Sequence, residues 1–210
     1  MGVSERKERE RLQRREDIIL AAEKVFFSRG FDKATMDDIA EEAELSKGTL
    51  YLYFKTKNDL HLAVVLKATA IMNDRVKKID SSSRNGIEKL VELGREFVRF
   101  SRDFPNEMNA ITELQGLTYE TLSMTRQELQ QILLNFTPVR LVIQFINQGI
   151  SENLIRKDIP PMVIVHTLWL QFLSIVQISI ARKGLFEMLD LSAEQLYESH
   201  IELVLNGIRS

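Results

Sequence analysis

Between Ser46 and Tyr53 the chain sets Lys47, Thr49, Tyr51 and Tyr53 on one short stretch, with Lys55 and Lys57 directly after. These are groups that bind a polyanion and read its edges. An ammonium pairs with phosphate, a threonine hydroxyl donates or accepts at a base edge, and a tyrosine offers a hydroxyl to phosphate and a ring to a thymine methyl. From Ser46 to Lys57 there are three cations and no acid. Gly48 costs a helix roughly 1 kcal/mol against Ala, and its missing side chain suits a place where a nucleic-acid backbone or base edge must come close. An ordinary helical hairpin with a solvated lysine face could show the same residues. The elements that carry them have to be considered.

Two short apolar-periodic runs flank a tight polar break. Ile39, Ala40 and Ala43 recur at helical spacing behind Thr35, a plausible N-cap. Leu50 and Phe54, four apart, can both point inward behind Ser46 as a second cap, while Gly48 and Leu52 fall on the opposite side. Leu45 lies in the break, where it can plug the angle between the helices. Two such helices joined by about four residues form a helix-turn-helix, whose second helix, about 47–53, would enter a major groove. Thr56 and Asp59 have capping-box spacing, with Asp for the usual Glu or Gln, and open a long helix to about Ile79. Thr35 and Lys57 thus stand at helix starts, where side chain, backbone N–H and dipole can converge on one anion. A first helix runs to Arg29, buries Val25 and Phe26 and stops at Gly30. Its opening, rich in alternating Arg and Glu, reads either as a solvated extension laced with i,i+4 pairs or as an arm reaching phosphates or a minor groove. Arg14 and Arg15 are then the nearest to take part.

The stretch from Ile18 to about His61 resembles the TetR family of bacterial transcriptional regulators. The resemblance rests on Ile18, Ala21, Ala22, Phe26, Gly30, Phe31, Thr35, Ile39, Ala40 and Ala43. It continues through Ser46, Lys47, Gly48, Thr49, Leu50, Tyr51, Tyr53, Phe54, Lys57 and Leu60. It implies sequence-specific binding of double-stranded DNA through Thr35, Ser46, Lys47, Gly48, Thr49, Tyr51, Tyr53 and Lys57. One position departs from the pattern: Glu44 stands where the family has Gly in the turn. If that turn needs a positive φ, Glu44 is strained by about 1–2 kcal/mol.

At 210 residues the chain can form one or two domains, and without Cys it has neither disulfides nor thiolate metal sites. The first fifteen residues are charged rather than apolar, so no secretory signal is expected, and a cytoplasmic setting follows. The net charge of −2 runs against the basic balance of many DNA binders. Distribution resolves this: cations gather at Arg6–Arg15 and Lys47–Lys57, and acids crowd Asp37–Glu44 and the C-terminal half. Enzyme chemistry finds little support. His61, His166 and His200 lack ligand partners at helical spacing, and Gly86, Gly94, Gly116 and Gly149 are isolated. No metal or cofactor is implied.

Asp80–Asn85 reads as a break, and beyond it every segment reads as helix. One helix closes near Pro105, another covers Asn106 to about Leu114, and helical pattern resumes from Thr121. Pro138 either kinks that run or starts a new helix with Thr137 as its N-cap. Another helix begins at the prolines ending at Pro161, and Ser192 caps the last. Met162–Ala181 carries no charge, which passes the length test for a membrane span. His166, Gln171 and Gln177 would be costly in lipid, so burial within protein is the better reading and no membrane is expected. In the TetR family the helix at this place packs against a ligand pocket on one side and a second subunit on the other. Phe97, Tyr119, Phe145, His166 and Trp169 are the candidates for a small-molecule pocket, though the same aromatics could be solid core.

The fold expected is all-α. Residues 1–60 form a three-helix helix-turn-helix domain, 61–79 a connecting helix, and 80–210 a helical effector-binding and dimerisation domain. The expected partners are a palindromic DNA operator, a second copy through Met162–Lys183 and Ala193–Arg209, and a small hydrophobic effector.

Overall fold

The computed structural model describes residues 2–113, 119–136, 138–181 and 183–210. It is all-α among them, apart from one isolated antiparallel bridge, Ile155 to Arg209. The chain clusters into two compact units.

The first unit comprises Met1–Ala68 and Asn109–Gln131. Helix α1, Val3–Arg29, ends where Gly30 takes φ 78° and returns its N–H to the Phe26 carbonyl at 2.9 Å. Helix α2, Met36–Glu42, starts in a full capping box: Thr35 Oγ1 accepts from Asp38 N at 3.1 Å, and Asp38 accepts from Thr35 N at 2.9 Å. Helix α3, Lys47–Tyr53, is capped by Ser46, which accepts from Thr49 N at 3.1 Å. Between α2 and α3, Leu45 N donates to Ala40 O at 2.8 Å and Glu44 N to Glu41 O at 3.0 Å. That pair of bonds is a Schellman motif, which demands a left-handed residue at Glu44, and Glu44 has φ 54°. Burial of Ile18, Ala22, Phe26, Ile39, Leu50 and Leu60, each 5% exposed or less, fixes the angles between these helices.

Helix α4, Lys57–Asp80, is continuous through the boundary between the units. The Thr56–Asp59 capping box forms, with both bonds at 3.0 Å. Asp59 does more than cap. Its second oxygen accepts from Ser123 N at 2.9 Å, and Asn58 donates to Thr121 O at 3.3 Å. The described residues 109–113 and 119–131, expected in the C-terminal domain, thus cluster with the N-terminal helices.

The second unit comprises Thr69–Met108 and Ile132–Ser210. Its helices are α5 (Gly86–Asp103), α8 (Val139–Ser151), α9 (Pro161–Ala181), α10 (Lys183–Met188) and α11 (Ala193–Ile208). Helices α6 (Pro105–Glu113) and α7 (Arg126–Phe136) fall across the division. Asn85 and Ser192 cap α5 and α11 with Glu88 and Gln195 as reciprocal partners. Pro138 separates α7 from α8 at the N-cap of α8, because it offers no N–H to continue a helix. Thr137, Leu114 and Gly116 lie outside the described residues. The helical run expected from Thr121 is instead a short 3-10 turn, Tyr119–Thr121, with α7 beginning only after the Thr125–Glu128 capping pair.

Helices α5 and α8 approach closely at two glycines. Gly86 N also donates to Glu152 at 2.8 Å, and that bond together with Gln148 holds the Glu152 carboxyl below the usual carboxylate range. Phe97 of α5 meets Trp169 and Phe172 of α9, with centroids 5.3 and 5.0 Å away, and Phe172 meets Tyr197 of α11 at 6.1 Å. This aromatic ladder ties three helices together.

Candidate nucleic-acid interface

The outer face of α3 carries unusual exposure for so short a helix. Leu52 is 75% exposed and Tyr51 37%, while Leu50 beside them is wholly buried. A Cβ added at Gly48 would meet only the Ser46 hydroxyl, 3.9 Å away. Nothing in the described chain therefore requires glycine there. Thr49 presents a hydroxyl 2.8 Å from that of Ser46, so the two act as one hydroxyl pair at the helix start. Lys47 Nζ lies 2.7 Å from Asp37 at the start of α2, and this hydrogen-bonded pairing raises the Lys47 pKa. Both partners are mostly exposed, so the pair is worth little and can be exchanged for a phosphate. Tyr53 is half-buried.

Thr35 is exposed, but its hydroxyl and N–H both serve Asp38, at 2.6 and 2.9 Å. Those bonds, with Arg29 alongside, hold the Asp38 carboxyl below the usual carboxylate range. The resemblance had placed Lys57 among the DNA contacts, and the structure gives its ammonium a different setting. Nζ donates to the carbonyls of Phe31 at 2.8 Å, Ala34 at 2.9 Å and Asp32 at 3.4 Å. It also lies 4.4 Å from the centre of the Phe31 ring. An ammonium has three donors, and here each has a carbonyl. Lys57 thereby fixes the loop that delivers Thr35 and α2. This contact spans more than twenty residues, and no local spacing could have signalled it.

Arg15 is one of the two arginines expected to take part, whereas the packing role of His61 has no signal in the sequence. Arg15 of α1 places its guanidinium 5.0 Å from the centre of the Phe54 ring, at the C-cap of α3. His61, 2% exposed, stacks on Phe31 with centroids 4.3 Å apart and meets Phe26 edge-on. Burial, and secondarily the Lys57 charge, push its pKa down to about 4. His61 is thus a neutral aromatic in the wall behind the Lys57 loop.

Four of the five pocket candidates have described side chains. Phe97 and Trp169 touch, whereas Phe145 is fully buried with the Lys89 ammonium 5.4 Å from its ring centre. His166 is exposed, its Nδ1 2.9 Å from the Met162 carbonyl. The Tyr119 side chain lies outside the described residues. Helix α9 is long and apolar enough to cross a membrane over Pro161–Ile178, and only 28% of that stretch is buried. Burial on every side, expected from its composition, is not met within one chain. Its exposed residues mix Met162, Val163, Leu170 and Ile178 with His166, Gln171, Ser174 and Gln177. An uncharged face of that mixed kind suits contact with protein better than with lipid.

Residues 18–64 match the model of the bacterial regulatory proteins, tetR family. Over 89 residues the chain is 46% identical to the HTH-type transcriptional activator FasR of Mycolicibacterium smegmatis, a match covering 41% of each protein. Over 127 residues it is 25% identical to IcaR of Staphylococcus aureus, a negative transcriptional regulator of a biofilm operon, covering 58% of this chain and 68% of that one. The fold is shared with FadR of Bacillus subtilis, solved in complex with stearoyl-CoA, at a TM-score of 0.71 and 21% identity over 92% of this chain and 98% of that one. With the helix-turn-helix assembled on α2 and α3, residues 18–64 form a domain of the kind found in the tetR family of bacterial regulatory proteins, and the rest of the chain is similar to that family in fold.

Proposed function

We propose that α3 reads the major groove through Lys47, Gly48, Thr49 and Tyr51, with Ser46, Tyr53 and Thr35 beside them on the phosphates. Lys57 supports that surface by holding the Phe31–Ala34 carbonyls, and its own phosphate contact would be secondary. The observation that carries this reading is the outer face of α3, where the open space at Gly48 lies among exposed Lys47, Tyr51 and Leu52 and half-buried Thr49, so that a duplex could come close to the helix backbone. One such helix spans a few base pairs, too few to single out a site in a genome. The open apolar face of α9, continued by Leu203 of α11 at 72% exposed, supports pairing with a second copy of the chain. Such a dimer would place two readers on half-sites about 34–36 Å apart in a palindromic operator.

The division of labour follows the sequence reading. Residues 1–60 read DNA, 61–79 connect, and 80–210 dimerise and take an effector. The regulator acts as a repressor released by a small hydrophobic molecule. Such an effector favours a conformer with the Lys57–Asp80 helix shifted, and coupling of this kind is typically worth 1–3 kcal/mol. FadR carries stearoyl-CoA on the same fold, so long-chain acyl thioesters are the first effectors to try. Activation is the second reading, favoured by the 46% match to an activator.

The test begins with duplexes selected from a random-sequence pool by the wild-type protein. Gly48→Ala should stabilise the free protein by roughly 0.5–1 kcal/mol yet bind the selected duplex at least tenfold more weakly. Lys47→Ala with Tyr51→Ala should lose selective binding. Wild-type affinity in the glycine variant would remove α3 as the reader.

A further inference from the structure

The first half of α1 holds a basic stripe that the reader helix does not account for. Residues 4–17 are exposed throughout, whereas the same helix is buried from Ile18 onward on the face of Ile18, Ala21, Ala22 and Val25. At 3.6 residues per turn, Lys7, Arg11, Arg14 and Arg15 fall within an arc of about 100°. That arc is the one Ile18, Ala21, Ala22 and Val25 occupy further along. The cations therefore overhang the side of α1 on which α2 and α3 are built. Arg15 demonstrates this directly, since its guanidinium reaches the Phe54 ring at the end of α3. One acid, Glu8, stands at the margin of the arc, 3.4 Å from Arg11. Glu5, Glu10, Glu16 and Asp17 lie outside the arc, and Glu10 is paired to Arg6 at 2.8 Å. Solvation alone would scatter both signs around the helix. Here four of the six cations between Ser4 and Asp17 share one arc that no acid enters, and that arc leads to Arg15, whose guanidinium meets the end of α3.

We propose that Lys7, Arg11, Arg14 and Arg15 form a rigid phosphate rail that grips the backbone of duplex DNA flanking the bases read by α3. The inference rests on the DNA-reading role of α3 and extends it to a second surface. From Lys7 to Arg15 the rail is roughly 12 Å long at 1.5 Å per residue. A duplex presents one phosphate per about 1.7 Å of axis, so several phosphates lie within reach of such a row. The rail carries no hydrogen-bond pattern specific to a base, so it adds affinity and register rather than sequence preference. Its helical form matters too. The side chains are already ranked on one face, whereas a flexible arm would have to be ordered on binding.

The test compares K7Q/R11Q/R14Q with the wild type on a duplex selected by the wild type, across a salt series. These positions lie outside the core, so the fold is unaffected, and Arg15 is spared because it packs on Phe54. Each lost phosphate contact lowers the log–log salt slope by about 0.9. The triple variant should thus lose about 2–3 from the slope and at least tenfold in affinity, with the preferred sequence unchanged. R6Q/R9Q, which alters charge on the opposite face, should change the slope by less than about 1. Trimming the duplex to the bases under α3 should bring the wild type down to the triple variant. Equal slopes for wild type and triple variant would overturn the rail, as would an R6Q/R9Q effect as large as the triple's. In either case loss of binding by K47A/Y51A would keep the reader helix standing. A wild-type protein that selects no duplex would overturn the reader and the rail together.

Discussion

A Cβ placed on Gly48 meets only the Ser46 hydroxyl, whereas one placed on Gly86 collides with the backbone of Gly149 and Phe145, the Gly149 Cα lying 2.6 Å away. The same residue serves opposite ends in the two units. At Gly86 the room is taken by the protein's own α8, so glycine is a condition of folding. At Gly48 the room is left open, so nothing in the described chain calls for the helix-weakening residue, and the proposed reader role would account for it. A glycine's surroundings, rather than its presence, separate structure from function. Sequence reading singled out Gly48 from its place on a reader helix but passed over Gly86 and Gly149 as isolated, since their meeting is set by tertiary packing.

The largest effect expected from this comparison is on stability. Gly86→Ala pushes a methyl into backbone that cannot rotate away, and it also disturbs the Gly86 N–H bond to Glu152. A loss of about 3 kcal/mol is expected, at the upper end of overpacking costs. For a chain of this size that is a melting shift of roughly 6–12 °C. Gly149→Ala meets the Ile155 side chain rather than backbone, so its cost should be smaller than that of Gly86→Ala. Calorimetry on the two variants and on Gly48→Ala orders the three. If Gly86→Ala melted with the wild type, the contrast between the two glycines would collapse.

What was legible in the sequence was local. Thr35, Ser46, Thr56 with Asp59, Ser192 and Gly30 all cap or stop helices where spacing placed them, because a cap is decided within four residues. What was illegible was long-range. No pattern announces that Lys57 reaches the carbonyls of Phe31 and Ala34, or that Asp59 uses its second oxygen on Ser123. The aromatics of the second unit show the same limit. Phe97, Phe145 and Trp169 are equally good pocket or core residues by type, and only their neighbours tell that Phe97 and Trp169 meet while Phe145 lies near Lys89.

His61 gives a second contrast, in pH rather than space. Its folded pKa, about 4, lies below the ordinary 6.5, so above pH 6.5 it is neutral in both states and stability is complete. As pH falls below 6.5 the unfolded chain takes up a proton that the folded chain refuses. Stability then declines by up to about 1.4 kcal/mol per unit, approaching 3 kcal/mol by pH 4. The carboxylates held low, Asp38, Glu128, Glu152 and Asp158, release their share only as pH falls past 4.5 and lower, so the windows separate. His200 is also lowered by burial and contributes in the same direction. His61→Phe keeps the ring stack and removes the titration. Denaturant midpoints at pH 7 and pH 5 should therefore converge in the variant, and an unchanged gap would assign the acid sensitivity to His200 or elsewhere.

The smallest expected effect tests the turn between α2 and α3, where local reading and structure agree most closely. Glu44 holds φ 54° because the Schellman bonds to Ala40 and Glu41 leave no other conformation at that position. A residue with a Cβ pays about 1–2 kcal/mol there, and glycine would relieve it at an entropic cost of about 0.5–1 kcal/mol in the unfolded chain. Glu44→Gly should thus stabilise by roughly 0.5–1 kcal/mol, with Glu44→Asn in between, since Asn tolerates the left-handed region better than Glu. Base preference should not change, because the turn keeps its hydrogen bonds and α3 its angle. Gly48→Ala should match that gain in stability while losing DNA affinity. Two substitutions of similar thermodynamic size, made four residues apart, would then separate strain that the fold merely tolerates from weakness that the interface uses. A Glu44→Gly protein less stable than the wild type would show that the Glu44 side chain contributes a contact outweighing the strain.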